Sequence, residues 1–143
     1  KAPYVIALPA GHPLAQHEVL TPKELANEPM AALAPEAVCR RLLDAAFAAA
    51  KKPLNVVCES LYASGICGVV KEGLAVGMVD PVTAYVFRDS GIEVRRFEPQ
   101  LMFNVELMYP EHRPHSRAAS EFLKILRQKR NTVLNWVTEV VGV

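Results

Sequence analysis

Long apolar runs are missing from this sequence of 143 residues, and no run reaches the roughly 18–20 residues that a membrane-spanning helix requires. An excess of charge is missing too, because 16 Lys and Arg nearly cancel 15 Asp and Glu and leave a formal charge of +1. Phosphate-backbone binding needs a cationic surface, so the chain alone is not expected to bind DNA. The hydrophobic fraction of 51% predicts a folded core. The first residue is Lys1 rather than Met, which predicts a piece of a longer protein.

Paired cysteines and metal-ligand spacings are also missing. Cys39, Cys58 and Cys67 are odd in number, irregularly spaced and form no C-x-x-C motif. All three cysteines sit among apolar residues, which predicts buried free thiols in a reducing cytosol. Only Cys39, near a predicted helix start, is a candidate redox thiol, and a buried core thiol is favoured for it as well. Neither a metal nor a cofactor is expected, because the histidines lie in predicted loops with no acidic partner fixed by spacing: His12, His17, His112 and His115.

Short strands and helices alternate along the chain, which predicts a three-layer α/β sheet. Strands are predicted at residues 4–8, 30–33, 54–59, 74–79, 93–97 and 102–109. Helices are predicted to begin at Thr21-Pro22, Pro35-Glu36, Ser60, Asp80-Pro81 and Ser116, from their cap and proline signals. Gly73 is predicted to end the third of these helices in a left-handed conformation. The apolar tail 131–143 fits a helix docked on the body or on a neighbour.

The helix after Glu36 has the clearest amphipathic pattern. Its Arg40-Arg41 pair is expected on a solvated face. Its buried face is predicted from apolar residues that recur at helical spacing: Val38, Leu42, Ala45, Ala46 and Ala49.

Three strand-to-helix junctions are expected at one carboxyl edge of a parallel sheet, where open α/β sheets bind ligands. Helix starts there are expected to offer free N–H groups to a small, anionic group. No nucleophile, base or metal set accompanies them, so a binding protein is predicted rather than an enzyme. The candidate binding residues are Leu33, Ala34, Pro35, Glu36, Ser60, Leu61, Asp80 and Pro81.

The order of several short motifs over residues 4–127 resembles the effector-binding domain of LysR-type transcriptional regulators. These motifs are VIALPAGHPL at 5–14, LANEP at 25–29, RLLDAAF at 41–47, ESL at 59–61, VVKEGLAVG at 69–77, Asp80-Pro81, Arg113-Pro114 and the Phe122-Leu123 helix. The resemblance implies a Rossmann-like lobe of periplasmic-binding-protein type and a bacterial ligand sensor in the cytoplasm.

The resemblance also implies how the chain is divided within a partial effector-binding domain (1–143). Residues 9–101 would form the second effector lobe, and 1–8 and 102–109 the hinge-crossing strands. Residues 110–130 would be the closing helix of the first lobe, followed by the tail 131–143. The DNA-binding helix-turn-helix would lie outside this chain, so DNA is expected as a partner only through that part. A homodimer or tetramer is also implied, with no membrane partner.

The segment 73–84 resembles the branch of the family that senses amino acids and opines. Glu36, Glu59 and Asp80 place acids at the same predicted edge as the helix starts, which favours a zwitterionic effector with Asp80 facing its ammonium group. An alternative from another class is a lobe of a periplasmic solute-binding protein.

We predict that this 143-residue chain alone forms no site-specific complex with duplex DNA, because its net charge is only +1 and no recognition helix is expected within it. Titration of an operator-length duplex at physiological salt should give no site-selective band shift. A sequence-specific complex would contradict the assignment.

Overall fold

The computed structural model describes residues 1–108 and 116–142, in which strands and helices alternate. The strands are β1 (Ala2–Pro3), β2 (Val5–Pro9), β3 (Val19–Leu20), β4 (Met30–Leu33), β5 (Val56–Ser60), β6 (Val76–Val79), β7 (Ile92–Phe97) and β8 (Met102–Phe103). The α-helices are α1 (Pro22–Leu25), α2 (Val38–Ala49), α3 (Ala63–Lys71), α4 (Pro81–Phe87) and α5 (Arg117–Val141). Residues Pro13–Gln16 form a short 3₁₀ helix.

The central sheet has six strands in the order β3-β7-β2-β6-β4-β5. Strands β4, β5 and β6 pair in parallel, as do β3 and β7, whereas β2 runs antiparallel to both of its neighbours. The predicted parallel pairing therefore does not extend to β2. It holds for β4, β5 and β6, whose carboxyl ends lie at one edge.

Helices cover both faces of this sheet, which confirms the three-layer α/β architecture. Side chains of β2 alternate between two apolar clusters, with Ile6 and Leu8 in one and Val5 and Ala7 in the other. The first cluster packs against α1 and α2, and the second against α3, α4 and α5. A strand covered on both faces needs apolar side chains at consecutive positions, as in the run VIAL.

The local start and stop signals are confirmed where they depend on near neighbours in sequence. Thr21 and Glu24 form the reciprocal capping box of α1. Asp80 caps α4, with Pro81 at its first position. Ser116 caps α5, and Gly73 follows α3 with φ +73°, a conformation that glycine adopts without a Cβ clash.

The predicted buried face of α2 is wrong by part of a turn. Val38 is 60% exposed, and Ala45 and Ala49 are exposed as well. The buried side chains are Cys39, Leu43, Ala46 and Phe47, so Ala46 is buried as predicted, and the predicted Leu42 is half-buried. Alanines occur on several sides of this helix, so the spacing of apolar residues alone does not define which face is buried. Burial of the large Phe47 and Leu43 side chains decides the orientation of the helix.

The predicted cap at Ser60 is also wrong. Helix α3 begins at Ala63 with Tyr62 in the cap position and no side-chain cap. The Ser60 hydroxyl instead accepts a hydrogen bond from the Tyr62 amide at 3.2 Å and donates to the Tyr62 carbonyl at 2.9 Å. Ser60 ends β5 and closes a local turn.

The strand predicted at 102–109 is shorter than its alternating pattern indicates. Only Met102–Phe103 forms a strand, paired with Ala2–Pro3, and residues 104–108 are not in a strand. Tyr109, His112, Arg113, Pro114 and His115 lie outside the described residues. The lobe boundaries and the hinge-crossing role of these segments stay predictions.

The apolar tail continues α5 and packs against the second cluster through Val133, Trp136, Val137 and Val141. Of the two predicted alternatives for the tail, the structure thus shows docking on the rest of the same chain. Within the described ranges, none of the helices has the length and apolar character needed to cross a membrane.

We predict that Gly77→Ala lowers the free energy of unfolding by about 1–3 kcal/mol, because overpacking strains a core. A Cβ at Gly77 would lie 2.4 Å from the Ile66 methyl carbon and 2.8 Å from the Ala31 carbonyl oxygen. Chemical denaturation provides the measurement.

The matched control is Gly68→Ala in α3, where a Cβ meets nothing within 4 Å. Helix propensity should make this change stabilising by about 0.5–1 kcal/mol. Equal effects of the two substitutions would contradict the packing of β6 against α3.

Candidate functional site

The three strand-to-helix junctions meet at one edge, which we call the carboxyl edge (residues 33–36, 60–61 and 80–81). The Ala34 amide donates a hydrogen bond to the Ser60 carbonyl at 3.0 Å, and Leu33 stands opposite Ser60 in the β4–β5 register. Parallel pairing of β4 with β6 brings the end of β6, and so Asp80, to the same edge.

The residues of this edge differ in what they offer to a ligand. Leu33, Ala34, Ser60 and Asp80 are half-buried, and Pro81, the first residue of α4, is buried. Pro35, Glu36 and Leu61 are exposed, Leu61 to 78%. The structure thus brings all the predicted residues to one edge but leaves Pro81 as a packing residue.

Free N–H groups are available at two helix starts rather than three. Neither α2 nor α3 receives a side-chain cap within the described residues. Their first amides therefore keep unused hydrogen-bonding capacity. The α4 start differs because Asp80 Oδ1 accepts the Val82 and Thr83 amides at 3.0 and 2.9 Å. The expectation of free α4 amides is wrong, since the acid itself occupies them.

Asp80 is a half-buried carboxylate that none of the Lys, Arg and His side chains among the described residues neutralises. Its Oδ2 accepts the Thr83 hydroxyl at 2.7 Å. Antiparallel pairing places Val5 opposite Val79, so Tyr4, the residue before β2, lies next to Asp80, the residue after β6. A partly desolvated carboxylate without a cation favours binding of a positively charged group.

The groups around Asp80 stay protonated at neutral pH. Burial, followed by the neighbouring Cys39 and Asp80, raises the pKa of Tyr4 to about 12. Burial is the main cause that raises the pKa of Cys39 to about 12 and of Cys67 to about 11, and the Asp80 charge adds to both. Cys39 is therefore a core thiol rather than a redox thiolate, and Cys58 is half-buried rather than buried.

Arg40 does not lie on a solvated helix face, so the prediction for the Arg40-Arg41 pair is wrong for Arg40, whereas Arg41 is exposed as expected. Its guanidinium donates to the Leu33 carbonyl at 3.0 Å, to Glu59 at 2.7 Å and to Asp44 at 3.0 Å. Only 13% of its side chain is exposed, and the bond to Glu59 is the main cause that raises the pKa of Arg40. Arg40 thereby neutralises Glu59 and ties α2 to the ends of β4 and β5.

A metal centre finds no support in the described part of the chain, where no group of three or more His, Cys, Asp or Glu residues converges. His12 has an acidic partner that its spacing did not reveal, since its Nε2 lies 3.6 Å from Glu28 Oε2. This pair lies at a loop outside the carboxyl edge.

Two grooves, of about 370 and 420 Å³, lie away from the carboxyl edge, where β7 meets the end of α5. Arg95 lines both, but its guanidinium already bonds the Ala15 carbonyl and Glu93. Arg96 pairs with Glu98, although its Nε is buried without a partner in the described residues. Because these cations are largely neutralised, we favour the carboxyl edge as the ligand site.

Comparison with known proteins shows the family to which this chain belongs. A family model described as the LysR substrate binding domain matches residues 1–131, and the chain belongs to this family. It is 36% identical over 118 residues to the transcriptional activator protein LysR of Escherichia coli. It is 32% identical over 118 residues to the regulatory protein NocR of Agrobacterium tumefaciens.

The chain covers only part of these relatives. Each match takes in 82% of the chain but only 38% of LysR and 39% of NocR. The same fold occurs in the effector-binding domain of QuiR, solved in complex with shikimate, with a TM-score of 0.62 and 14% identity. That likeness covers 97% of this chain and 63% of the QuiR chain.

We predict that Asp80→Ala lowers the free energy of unfolding by about 0.5–2 kcal/mol, because the α4 amides lose their cap. Asp80→Asn should cost clearly less, since asparagine caps about as well and its amide group can donate to the Thr83 hydroxyl. Urea unfolding of the two variants compares them. Equal losses would show that the charge, not the cap, stabilises α4.

Proposed function

We propose that this chain is the effector-sensing and oligomerisation module of a bacterial LysR-type transcriptional regulator, acting in the cytoplasm. Membership of the LysR substrate-binding family supports a ligand-binding role in a regulator. The same membership favours this role over a lobe of a periplasmic solute-binding protein.

The proposed effector is a zwitterion: a basic amino acid, diaminopimelate or an opine-like compound. The observation that carries this proposal is the half-buried Asp80 carboxylate without a cationic partner among the described residues, at the same edge as the uncapped start of α2. An ammonium group would meet Asp80, and a carboxylate would meet the amides of uncapped helix starts. Glu59 is already paired with Arg40 and Glu36 is exposed to water, so the half-buried Asp80 is the principal acidic contact in this proposal.

The proposed binding set is the carboxyl edge itself, with Leu33, Ala34, Pro35, Glu36, Ser60, Leu61, Asp80 and Pro81 as its predicted members. Pro81 contributes through the position of α4 rather than by contact, because it is buried. Tyr4 and Arg40, which sequence reasoning missed, join the set as residues that shape the edge, because Tyr4 is buried next to Asp80 and Arg40 bonds the Leu33 carbonyl and Glu59.

The proposed partners are a second copy of the chain and, in the whole regulator, DNA. Apolar side chains at the exposed 102–108 segment and on α5 support association, since Met108 is 93% and Phe122 61% exposed. DNA would bind through an N-terminal helix-turn-helix outside this chain.

Calorimetry on the intact regulator tests the proposed effector. Lysine and diaminopimelate should bind, whereas aromatic and dicarboxylic acids that lack an amine should not. Asp80→Asn keeps the cap and removes the charge, so it should weaken binding of the amine-bearing ligands by about 10- to 100-fold.

The matched control is Asp89→Asn, which makes the same chemical change at an exposed residue just beyond the other end of α4. It should leave the affinity unchanged. Binding of amine-free acids alone, or undiminished amino-acid binding by Asp80→Asn, would disprove the zwitterion proposal.

A further inference from the structure

The carboxyl-terminal turns of α5 are a feature that the family match does not include. That match ends at residue 131, yet α5 continues to Val141. Val137 and Val141 beyond that point are 2% and 7% exposed, which places them in the core of the molecule. The first half of the same helix is largely uncovered, since Phe122 and Ile125 are 61% and 56% exposed.

The docked turns contact α4 through an aromatic pair. The rings of Trp136 and Tyr85 meet edge to face, with centroids 5.6 Å apart and an interplanar angle of 75°. The guanidinium carbon of Arg88 lies 4.1 Å from the centre of the Tyr85 ring. Such contacts have a preferred geometry, so they fix orientation as well as burying area.

Helix α4 needs support from outside itself. It has seven residues, and isolated helices below about 12–15 residues are marginal in water. It buries only Pro81 and Ala84, while Val82 and Val86 are 46% and 67% exposed. Its own contacts with the sheet are therefore few, and α5 supplies a large part of what holds it.

We propose that Trp136 is a positioning residue for the carboxyl edge. With Val137 and Val141, which dock α5 on the sheet, it holds α4 in place, and α4 in turn fixes the direction of the Asp80 carboxylate that caps it. The consequence for the effector rests on the proposed function, whereas the contact between α5 and α4 can be tested without any effector.

Amide hydrogen exchange on the whole chain, followed by NMR, tests this role. Trp136→Ala should speed exchange of the amides from Ala84 to Phe87 by about tenfold or more relative to those of β2 and β6, because local opening of α4 becomes easier. Trp136→Phe keeps an aromatic edge and should restore most of the protection.

The matched control is Phe122→Ala, an aromatic truncation on the same helix at an exposed position within the family match. It should leave α4 exchange unchanged. Tyr85→Leu removes the partner ring and should reproduce the local effect of Trp136→Ala, which provides a second route if that variant folds poorly.

Unchanged exchange in α4, in both Trp136→Ala and Tyr85→Leu, would overturn the proposal. So would a rise of equal size in α4, β2 and β6, because that pattern reports a general loss of stability and no positioning of α4.

Discussion

The rest of the structure depends on the burial of strand β2 at the centre of the sheet. Its residues from Val5 to Leu8 are at most 1% exposed, and it pairs with both β6 and β7. Both apolar clusters include its side chains, so the helix layers on the two faces are built on one strand. Because β2 is antiparallel, its amino-terminal end lies at the carboxyl edge, and this brings Tyr4 beside Asp80.

Features set by near neighbours in the sequence were predictable, and those set by distant contacts were not. The Thr21–Glu24 capping box and the Asp80 cap each lie within a four-residue window. The buried face of α2 and the end of the strand at Phe103 depend on which partners pack against them. Docking of Trp136 on Tyr85 likewise joins residues that are far apart in sequence.

The candidate site likewise has features that the sequence predicts and features that only distant contacts determine. Its location could be predicted, because carboxyl ends of parallel strands meet at one edge whatever their side chains. The roles of individual residues could not, since Arg40 reaches back to the Leu33 carbonyl and across to Glu59. That pairing removes Glu59 from the three acids at the edge, and of the remaining two only Asp80 is half-buried, a difference set by tertiary structure and not visible in the sequence.

We propose that the effector binds at the carboxyl edge rather than in the grooves beside Arg95 and Trp136. Backbone amide chemical shifts of the intact regulator, recorded with and without diaminopimelate, test this claim directly. We expect the largest changes at the amides of Cys39, Ala63 and Val82. Largest changes around Arg95 and Trp136, with the amides of the carboxyl edge unmoved, would contradict it.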